Sequence, residues 1–308
     1  MLQVWLNPIS LIIASIGFVN NVLVIYTVFT SKVVKKVTKV YLLNLAIADI
    51  LFLSRVLLLV AENFNKSWYC GLITCKLIQT LTLSACTACN FLVAIISIDR
   101  YIAICFPFIR NPLHTQKNAK ISWICIWIVS ISFQIPSAIY AKTFDQMNPA
   151  KNETITICRI DWPPHIRKLT FALNMFIGFF IPSALIAVFY TRIVLELLRF
   201  NCLAYANDLC RRSRSKAVML SLTIVSCYFA CWTPYWTVNC FLAFTMHESN
   251  KWTHLKSVYK ICLIVAFTHS ALNPILYVFL GDKFQKYYKK ALKKRKSTLS
   301  ALIAREES

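Results

Sequence analysis

The chain has 308 residues, of which 58% are hydrophobic and only 15% are charged, and its formal net charge at pH 7 is +22. Its mean hydropathy is +0.59. A large soluble helical protein needs polar faces at helical spacing, which this sequence lacks. We therefore exclude that class in favour of a bundle of membrane-spanning helices.

Seven apolar stretches are each long enough to cross about 30 Å of hydrocarbon. In chain order they lie near residues 8–30, 40–62, 73–104, 120–140, 168–197, 216–245 and 256–280. The first stretch lacks a small-residue cleavage site, so we expect it to be a span and not a cleavable signal peptide. No linker or internal repeat divides the sequence. It therefore predicts an all-α membrane protein, in which residues 1–308 form one seven-transmembrane helix bundle.

The distribution of lysine and arginine predicts which way the bundle faces. The segments that follow the first, third and fifth spans are basic, and residues 283–296 of the tail are rich in lysine. The opposite loops are less basic and carry acids such as Asp145 and Glu153. By the positive-inside rule, the chain is a multi-pass protein of the cell membrane with an extracellular N-terminus and a cytoplasmic tail. The charge thus indicates contact with membrane lipids and no nucleic-acid partner.

The predicted outer loops carry modification and cross-linking candidates. Asn65 and Asn152 each begin an N-glycosylation sequon. Cys75 opens the third span, and Cys158 lies in the longest outer loop, which is long enough for a β-hairpin. A disulfide between these two cysteines would hold that loop over the mouth of the bundle in an oxidising compartment. Cys70 remains a competing partner.

Polar residues and prolines interrupt every span. Asp99, Arg100 and Tyr101 lie at the predicted cytoplasmic end of the third span, and a charge inside a membrane is by default a functional-site hypothesis. The other interruptions are Asn21, Asp49, Trp127, Pro136, Pro182, Tyr190, the segment CWTPYW from Cys231 to Trp236, and the segment NPILY from Asn273 to Tyr277. Because proline removes a backbone hydrogen bond and kinks a helix, we predict a kinked bundle around a buried polar spine. Asn21, Asp49, Ser270 and Asn273 form that spine.

These residues together resemble the rhodopsin-like G-protein-coupled receptors, with one landmark in each span and WYCG, from Trp68 to Gly71, before Cys75. Each motif alone occurs by chance, but the whole set in order and at the right depth is specific. The resemblance implies a receptor without a cofactor, whose intracellular partners are a heterotrimeric G protein, arrestin and receptor kinases. No nucleophile–base pair, metal spacing or phosphate loop indicates an enzyme.

The resemblance also implies roles for individual residues. Arg100 leaves Asp99 and meets the C-terminal helix of the G protein when the sixth span swings outward about Pro234. Trp232 acts as a rotamer switch beneath the ligand. The full set of coupling and switch residues is Asp99, Arg100, Tyr101, Tyr190, Trp232, Pro234, Asn273, Pro274 and Tyr277. The result is a two-state equilibrium that an outer ligand and an inner protein bias reciprocally.

The tail after the seventh span is predicted to continue as an eighth helix. Apolar residues recur at a spacing of three to four among lysines, namely Phe284, Tyr287, Tyr288, Ala291 and Leu292. This spacing is typical of an amphipathic helix lying on the inner leaflet, which we place at about residues 282–293.

Two positions depart from the family's sodium site. That site joins the second-span acid, here Asp49, to hydroxyl and amide groups on the third span. This chain has Ala85 and Cys89 there, which are poor ligands for a hard cation. Sodium at Asp49 is therefore doubtful, although Ser270 and Asn273 remain, and no other metal is expected.

The connector below the ligand site also departs from the family. Relatives pair Pro182 with a branched aliphatic residue and a phenylalanine, whereas this chain has Asn90 and Tyr228. We predict a hydrogen bond between Asn90 and Tyr228 that shifts the inactive–active balance by about 1 kcal/mol. Arg214 stands where many relatives have an acid that clamps Arg100, so we expect no ionic clamp and a raised basal activity.

Two ligand classes are excluded by single residues. A retinal photoreceptor needs a Schiff-base lysine in the seventh span, where this chain has Phe267. Amine receptors use an aspartate in the third span, where this chain has Thr82.

The predicted pocket has an aromatic floor and a rim of mixed charge, which suits a short neuropeptide. Its candidate lining residues are Arg55, Glu62, Gln79, Thr82, Leu83, Asn174, Tyr235, Trp236, Asn239, Lys260 and Phe267. A chemokine is an alternative, but no cysteine precedes the first span, Leu57 replaces a kinking proline, and the outer N-terminal segment is short. An anionic lipid or nucleotide held by Arg55 is another alternative. A seven-span channel or transporter is remote, because the polar residues converge on one spine and one cytoplasmic mouth.

Overall fold

The computed structural model describes residues 2–30, 36–65, 67–106, 115–148, 153–203, 208–245 and 253–278. The elements in chain order are α1 (Leu2–Thr30), α2 (Lys36–Asn65), α3 (Gly71–Cys105), α4 (Gln116–Phe133), α5 (Ile135–Tyr140), β1 (Ala141–Asn148), β2 (Glu153–Ile160), α6 (Pro164–Met175), a π-helical turn (Phe176–Phe180), α7 (Ile181–Leu203), α8 (Asp208–Thr245) and α9 (Thr253–Val278). The π-helical turn joins α6 to α7 without a gap. The fourth span is therefore α4 with α5, the fifth is α6 with α7, and α8 and α9 are the sixth and seventh.

This arrangement confirms the predicted all-α bundle. Most helices extend beyond the apolar stretch, because hydrophobicity reports only the hydrocarbon-facing part of a helix that continues among the headgroups. Four segments of the described chain have both the length and the hydropathy of a membrane span: Pro8–Thr30, Lys36–Val56, Gly71–Cys105 and Pro164–Arg199. The predicted eighth helix, residues 282–293, lies outside the described residues, as do residues 279 and 280 of the predicted seventh span.

The third span is the central rod of the bundle. Helix α3 packs against α2, α4 and α7, while α1 packs against α2 and α9, and α8 packs against α7 and α9. Large apolar side chains such as Ile12, Ile128 and Val188 are exposed on the outer faces. In water such faces would be a liability, but in a membrane the lipid chains cover them.

Gly17 sets the distance between the first span and its two neighbours. A Cβ atom at this position would lie 2.6 Å from Leu53 Cδ1 and 2.9 Å from Ala271 Cβ. No larger residue fits without moving a helix, and small residues let membrane helices approach closely. The first span can therefore lie close enough for its asparagines to reach the backbone of the seventh.

A β-hairpin covers one end of the bundle, which we call the hairpin end. Strands β1 and β2 are antiparallel, with Thr143 opposite Cys158. Cys158 forms the predicted disulfide with Cys75 at the start of α3, while Cys70 is free and exposed. The Trp68 N–H also donates to the Thr156 carbonyl at 2.6 Å. The hairpin is thus fixed to the third span, whose other end carries Asp99 and is called the Asp99 end.

The fourth span is broken near the hairpin end. Helix α4 ends at Phe133, and α5 begins two residues later with Pro136 in its first turn, where a missing N–H costs nothing. Lys76 Nζ on α3 donates to the carbonyls of Ala138, at 2.8 Å, and Ile139, at 3.1 Å, in the last turn of α5. A cation at a helix C-terminus is favourable, so this contact ties the fourth span to the third.

Candidate functional site

A small cavity of about 50 Å³ lies under the hairpin, between the third, fourth, fifth and sixth spans. It is lined by Leu83, Cys86, Thr87, Gln134, Trp162, Thr170, Phe171, Asn174, Tyr235, Trp236 and Asn239. Sites that enclose a whole drug-sized ligand measure roughly 300–1,000 Å³. The cavity therefore admits one small group of a ligand in this conformation, and it has to widen to take more.

Five of the predicted pocket residues line this cavity: Leu83, Asn174, Tyr235, Trp236 and Asn239. Gln79 and Thr82 are buried on α3, nearer the hairpin end than Leu83. Gln79 Nε2 lies 3.5 Å from the Cys158 carbonyl oxygen. Lys260 is exposed and Arg55 is half-buried, while the side chain of Glu62 lies outside the described part of the chain. Five predicted residues therefore meet at one cavity, whereas Gln79, Thr82, Arg55 and Lys260 do not line it.

Sequence reasoning missed Gln134, Trp162, Thr170, Phe171, Cys86 and Thr87 as lining residues. Gln134 had a usable signal, since it is an isolated carboxamide in an apolar span, two residues before Pro136. Trp162 and Thr170 carried no such signal. Their part in the cavity depends on where the hairpin returns to the bundle and on the rotation of α6.

The floor of the hairpin end is aromatic. Trp232 is fully buried, and its ring stacks on Phe52 with centroids 5.7 Å apart. Phe52 in turn contacts Phe267 at 4.8 Å, so the predicted pocket residue Phe267 belongs to the floor and not to the cavity wall. His269 contacts both Trp232, at 5.9 Å, and Tyr228, at 5.5 Å. A change in the Trp232 rotamer therefore has to displace the rings of Phe52 and His269, which it contacts directly.

The polar spine lies below this floor. Asn273 Nδ2 donates to Asp49 Oδ2 at 3.0 Å, and Cys89 Sγ donates to Asp49 Oδ1 at 3.4 Å. Each carboxylate oxygen therefore already accepts a hydrogen bond from the protein, so a sodium ion at Asp49 would compete with a thiol donor. Ser270 is fully buried beside this group, and Pro274 is buried as well. Within the described ranges, no cluster of three or more His, Cys, Asp or Glu side chains is placed to bind a metal.

The predicted hydrogen bond between Asn90 and Tyr228 is wrong. Among the described residues, Asn90 Nδ2 instead donates to the Gly178 carbonyl at 2.8 Å, and the Tyr228 hydroxyl lies 3.4 Å from Ser183 Oγ. Both polar groups therefore bond to the fifth span. Pro182 explains the contact of Asn90, because a non-proline residue there would donate its N–H to the carbonyl four residues earlier, which is that of Gly178. The Asn90 side chain supplies the missing donor.

Asn21 on the first span supplies a missing hydrogen-bond donor to the seventh span in the same way. Pro274 leaves the Ser270 carbonyl without its helical donor, and Asn21 Nδ2 donates to that carbonyl at 3.1 Å and to the Gly17 carbonyl at 2.9 Å. Neighbouring helices in membranes commonly satisfy backbone groups freed by proline in this way. We call these two contacts, Asn90 to Gly178 and Asn21 to Ser270, the asparagine latches.

The Asp99 end holds a charged pair at the helix boundary. Arg100 Nη2 lies 3.8 Å from Asp99 Oδ2, and the Thr38 hydroxyl lies 3.5 Å from the same oxygen. Asp99 is 5% exposed and Arg100 is 21% exposed, so the pair is shielded from lipid by neighbouring helices. Tyr190 is buried near Arg100. The pair is long and made by a single oxygen, so it holds Arg100 without a bidentate geometry.

Other predicted switch residues lie close to these groups or outside the described part. Tyr101 packs edge-on against Phe106, with ring centroids 5.6 Å apart, and contacts Phe189 at 5.3 Å. Pro234 lies inside α8, four residues after Ala230. The side chains of Tyr277, Arg214 and Asn65 lie outside the described part of the chain, as does Asn152 as a whole.

Comparison with known proteins agrees with this architecture. The family model described as 7 transmembrane receptor (rhodopsin family) matches residues 20–277. Somatostatin receptor type 4 of Rattus norvegicus is 28% identical over 291 residues, which cover 94% of this chain and 73% of the relative. Somatostatin receptor type 5 of the same species is 29% identical over 287 residues, or 92% and 76%. C-C chemokine receptor type 1 of Homo sapiens is 29% identical over 299 residues, or 94% and 80%.

Proposed function

This chain belongs to the rhodopsin family of seven-transmembrane receptors, and we propose that it binds a short extracellular peptide at the hairpin end and activates a heterotrimeric G protein at the Asp99 end. It is a multi-pass membrane protein and a receptor, not an enzyme. The observation that carries the proposal is the charged Arg100, held beside Asp99 at the end of the bundle opposite the cavity.

We place the hairpin end outside the cell. The disulfide between Cys75 and Cys158 supports this orientation, because such bonds persist in oxidising compartments. The basic segments at the opposite end support it as well, since positive charge is retained on the cytoplasmic side. The sequons at Asn65 and Asn152 would then face the compartment in which glycans are added.

The proposed mechanism couples two ends that share one set of packed helices. A ligand that widens the cavity presses on Tyr235 and Trp236, and Trp236 stacks on Phe179 of the π-helical turn at 5.8 Å. The next turn of α8 towards the Asp99 end places Trp232 against the aromatic floor. Movement of α8 about Pro234 opens the Asp99 end, and Arg100 exchanges Asp99 for the G protein's C-terminal helix. The G protein therefore raises ligand affinity by the same factor by which the ligand raises G-protein affinity.

The relatives support a peptide ligand, since their names describe receptors for somatostatin and for chemokines. The small cavity supports a short peptide that inserts one group below the hairpin and rests its remainder on the rim. The second candidate ligand is a folded chemokine, which the similarity to C-C chemokine receptor type 1 favours. Arrestin and receptor kinases are further proposed partners of the activated Asp99 end.

The decisive test of G-protein coupling needs no ligand. Purified receptor in nanodiscs is mixed with a set of heterotrimers, and agonist-independent nucleotide exchange is measured. We expect the native chain to accelerate exchange on at least one heterotrimer, and Arg100→Ala to return that rate to the level of G protein alone. Arg159→Ala is the matched control, because Arg159 lies in the hairpin, over the Phe144 ring at 4.8 Å, far from the Asp99 end. Solute or ion flux without exchange would overturn the proposal.

The ligand class is tested next with the same readout. Pools of short synthetic peptides, purified chemokines, and lysophospholipids with nucleotides are each added to the receptor and its responsive heterotrimer. We expect peptide pools to raise exchange at lower concentrations than the other classes. A response confined to chemokines would select the second candidate, and a response confined to anionic lipids or nucleotides would overturn the peptide assignment.

A further inference from the structure

A charged residue lies inside the second span, near the hairpin end. Arg55 falls within Lys36–Val56, a segment with the length and hydropathy of a membrane span, and it is half-buried. An arginine side chain is always charged, and charged residues within spans almost always face the interior of the bundle and mark functional sites. Arg55 does not line the cavity under the hairpin, so the residues around it indicate what its charge is for.

Arg55 belongs to a polar cluster between the second, sixth and seventh spans. Its guanidinium group interacts electrostatically with the hydroxyl group of Tyr259 in α9. The Tyr259 side chain is hydrogen-bonded to that of Tyr235 in α8, and their ring centroids are 6.1 Å apart. We call Arg55, Tyr235 and Tyr259 the arginine–tyrosine cluster. Because its members come from three helices, the cluster exists only in the assembled bundle.

The arginine–tyrosine cluster adjoins the cavity under the hairpin. Tyr235 lines that cavity, and both tyrosine hydroxyl groups lie within electrostatic range of the thiol of Cys86, which lines it on α3. Tyr235 also contacts Trp232 of the aromatic floor edge-on, with ring centroids 5.9 Å apart. The tyrosine pair therefore connects the cavity with Arg55 on one side and with the floor on the other.

The charge of Arg55 decides which ligand groups this cluster favours. The tyrosine oxygens can both donate and accept hydrogen bonds, so they alone select no class of ligand. A guanidinium group attracts an anion and repels a cation, and both effects are stronger in a low-dielectric site than in water. It has five N–H donors and no acceptor, and it binds a carboxylate through two parallel hydrogen bonds. The cluster therefore favours a carboxylate over an amine.

The cavity lining alone does not suit a carboxylate. Its residues include no aspartate, glutamate, lysine, arginine or histidine, so a carboxylate confined there would lose its water without a cation to offset the cost. Arg55 supplies that cation beyond the tyrosine pair. The cavity of about 50 Å³ has to widen for any ligand larger than a small group, and separation of Tyr235 from Tyr259 would widen it towards Arg55.

We propose that the arginine–tyrosine cluster is a subsite for a carboxylate group of the peptide ligand, which reaches Arg55 when the cavity widens between Tyr235 and Tyr259. The inference rests on the proposed function, since it specifies the chemistry of the ligand at the same end of the bundle. Arg55 binds the carboxylate, and the hydroxyl group of Tyr259 donates to it once the tyrosines separate. Because Tyr235 contacts Trp232, occupation of the subsite acts directly on the aromatic floor.

Five small phenyl compounds test the charge preference on the purified receptor in nanodiscs. Two carry a carboxylate, N-acetylphenylalanine at its C-terminus and N-acetyl-aspartyl-phenylalaninamide on a side chain. N-acetylphenylalaninamide is neutral, phenethylamine is cationic at pH 7, and phenyl phosphate carries a phosphate group. Each compound is titrated up to about 10 mM, and its Kd is taken from the rise in Tm.

We expect at least one carboxylate to bind about tenfold or more tightly than the neutral amide, and phenethylamine to bind no more tightly than that amide. The tighter of the two carboxylates shows whether the subsite takes a C-terminus or an acidic side chain. The proposal is overturned if neither carboxylate exceeds the amide, if the amine exceeds it, or if phenyl phosphate binds more tightly than both carboxylates.

Variants then locate the binding. Arg55→Gln removes the charge and is expected to raise the Kd of the tighter carboxylate about tenfold or more, while the Kd of the neutral amide changes less than about twofold. Arg55→Lys keeps the charge but loses the planar fork, so a smaller rise is expected. Tyr259→Phe removes one donor and should raise the carboxylate Kd about threefold to fivefold. Arg167→Gln is the matched control, because Arg167 is half-buried at the same end and does not line the cavity.

Equal carboxylate binding by the native chain and Arg55→Gln, or an equal loss in Arg167→Gln, would place the probe elsewhere and overturn the assignment. Folding is checked by size-exclusion chromatography. Arg55→Lys and Tyr259→Phe are conservative enough to decide the matter if Arg55→Gln does not fold, and unchanged carboxylate binding in both would overturn the assignment. The proposed function fails separately, in the exchange assay with Arg100→Ala, which uses none of these probes.

Discussion

The prolines of the fifth and seventh spans differ from the proline of the sixth in one respect. The carbonyls that Pro182 and Pro274 leave without a backbone donor each receive one from an asparagine on another helix. The carbonyl that Pro234 leaves is that of Ala230, and within the described ranges no side chain of another helix donates to it. Two kinks are therefore fixed to their neighbours, while the kink in α8 is not.

This difference indicates which helix is free to move. A latched proline keeps its bend, because straightening or rotating the helix would break a buried hydrogen bond of about 1 kcal/mol. Straightening or rotating α8 at Pro234 would break no such hydrogen bond. The proposed activation movement starts with the helix whose kink is free, and the two latches oppose movement of the fifth and seventh spans away from the third and the first.

The largest effect is expected from removing the free kink. Pro234→Ala restores a backbone hydrogen bond in the interior of α8, where proline costs about 3 kcal/mol. We expect a higher Tm and a slower agonist-independent nucleotide exchange, because a straight α8 resists the outward movement. Pro136→Ala is the control, since Pro136 lies in the first turn of α5, where its missing N–H is unused. Faster exchange with Pro234→Ala would contradict the comparison.

Breaking the latch of the seventh span should have the next largest effect. Asn21 is 1% exposed and makes two hydrogen bonds, so Asn21→Leu should lower the free energy of unfolding by about 1–3 kcal/mol. Thermal unfolding of the purified receptor measures this loss. Thr30→Val serves as the comparison variant, because the Thr30 hydroxyl donates only to Tyr26 of its own helix, at an exposed position. An equal loss in both variants would show that the cross-helix bond contributes nothing.

Breaking the latch of the fifth span should change signalling more than stability. Asn90→Val leaves the Gly178 carbonyl without a donor in the state where Arg100 is paired with Asp99. We expect agonist-independent exchange to rise about fivefold, which corresponds to about 1 kcal/mol. Unchanged exchange at matched surface expression would count against this role.

A second substitution sharpens the same test. Pro182→Ala provides a backbone N–H near the Gly178 carbonyl. In the Asn90→Val background it should therefore lower agonist-independent exchange part of the way back to the native rate. The double-mutant cycle is then non-additive, as expected for two groups that serve one acceptor. Strict additivity would mean that Asn90 and Pro182 act independently.

The smallest effect is expected at Tyr228. Its hydroxyl lies 3.4 Å from Ser183 Oγ, which is long for a hydrogen bond between hydroxyl groups. Tyr228→Phe should therefore change the free energy of unfolding and the free-energy difference between the inactive and active states by less than about 0.5 kcal/mol. Both changes are well below the effect expected for Asn90→Val. Thermal unfolding and agonist-independent exchange measure them. An effect as large as that of Asn90 would restore a connector role for the Tyr228 hydroxyl.

Some features of the site could be predicted from the sequence because they are local. The pairing of Asp99 with Arg100 joins neighbouring residues, and the partners of Asp49 follow from the depth of each span. The bond expected between Asn90 and Tyr228 failed for the opposite reason. The sequence predicts that both residues lie at the same depth in the membrane. It does not specify the rotation of each helix about its axis, and in the structure Asn90 faces the freed Gly178 carbonyl.

The apolar spans, the family resemblance and the positions of the prolines could be predicted from the sequence, because hydrophobic length and backbone chemistry act within one segment. The packing of the helices determines which freed carbonyls are latched, and it brings Gln134, Asn174 and Trp236 together in one cavity. Asn90 and Gly178 are 88 residues apart, and Asn21 and Ser270 are 249 apart. Such contacts depend on the relative rotation and shift of packed helices, which no short stretch of sequence specifies.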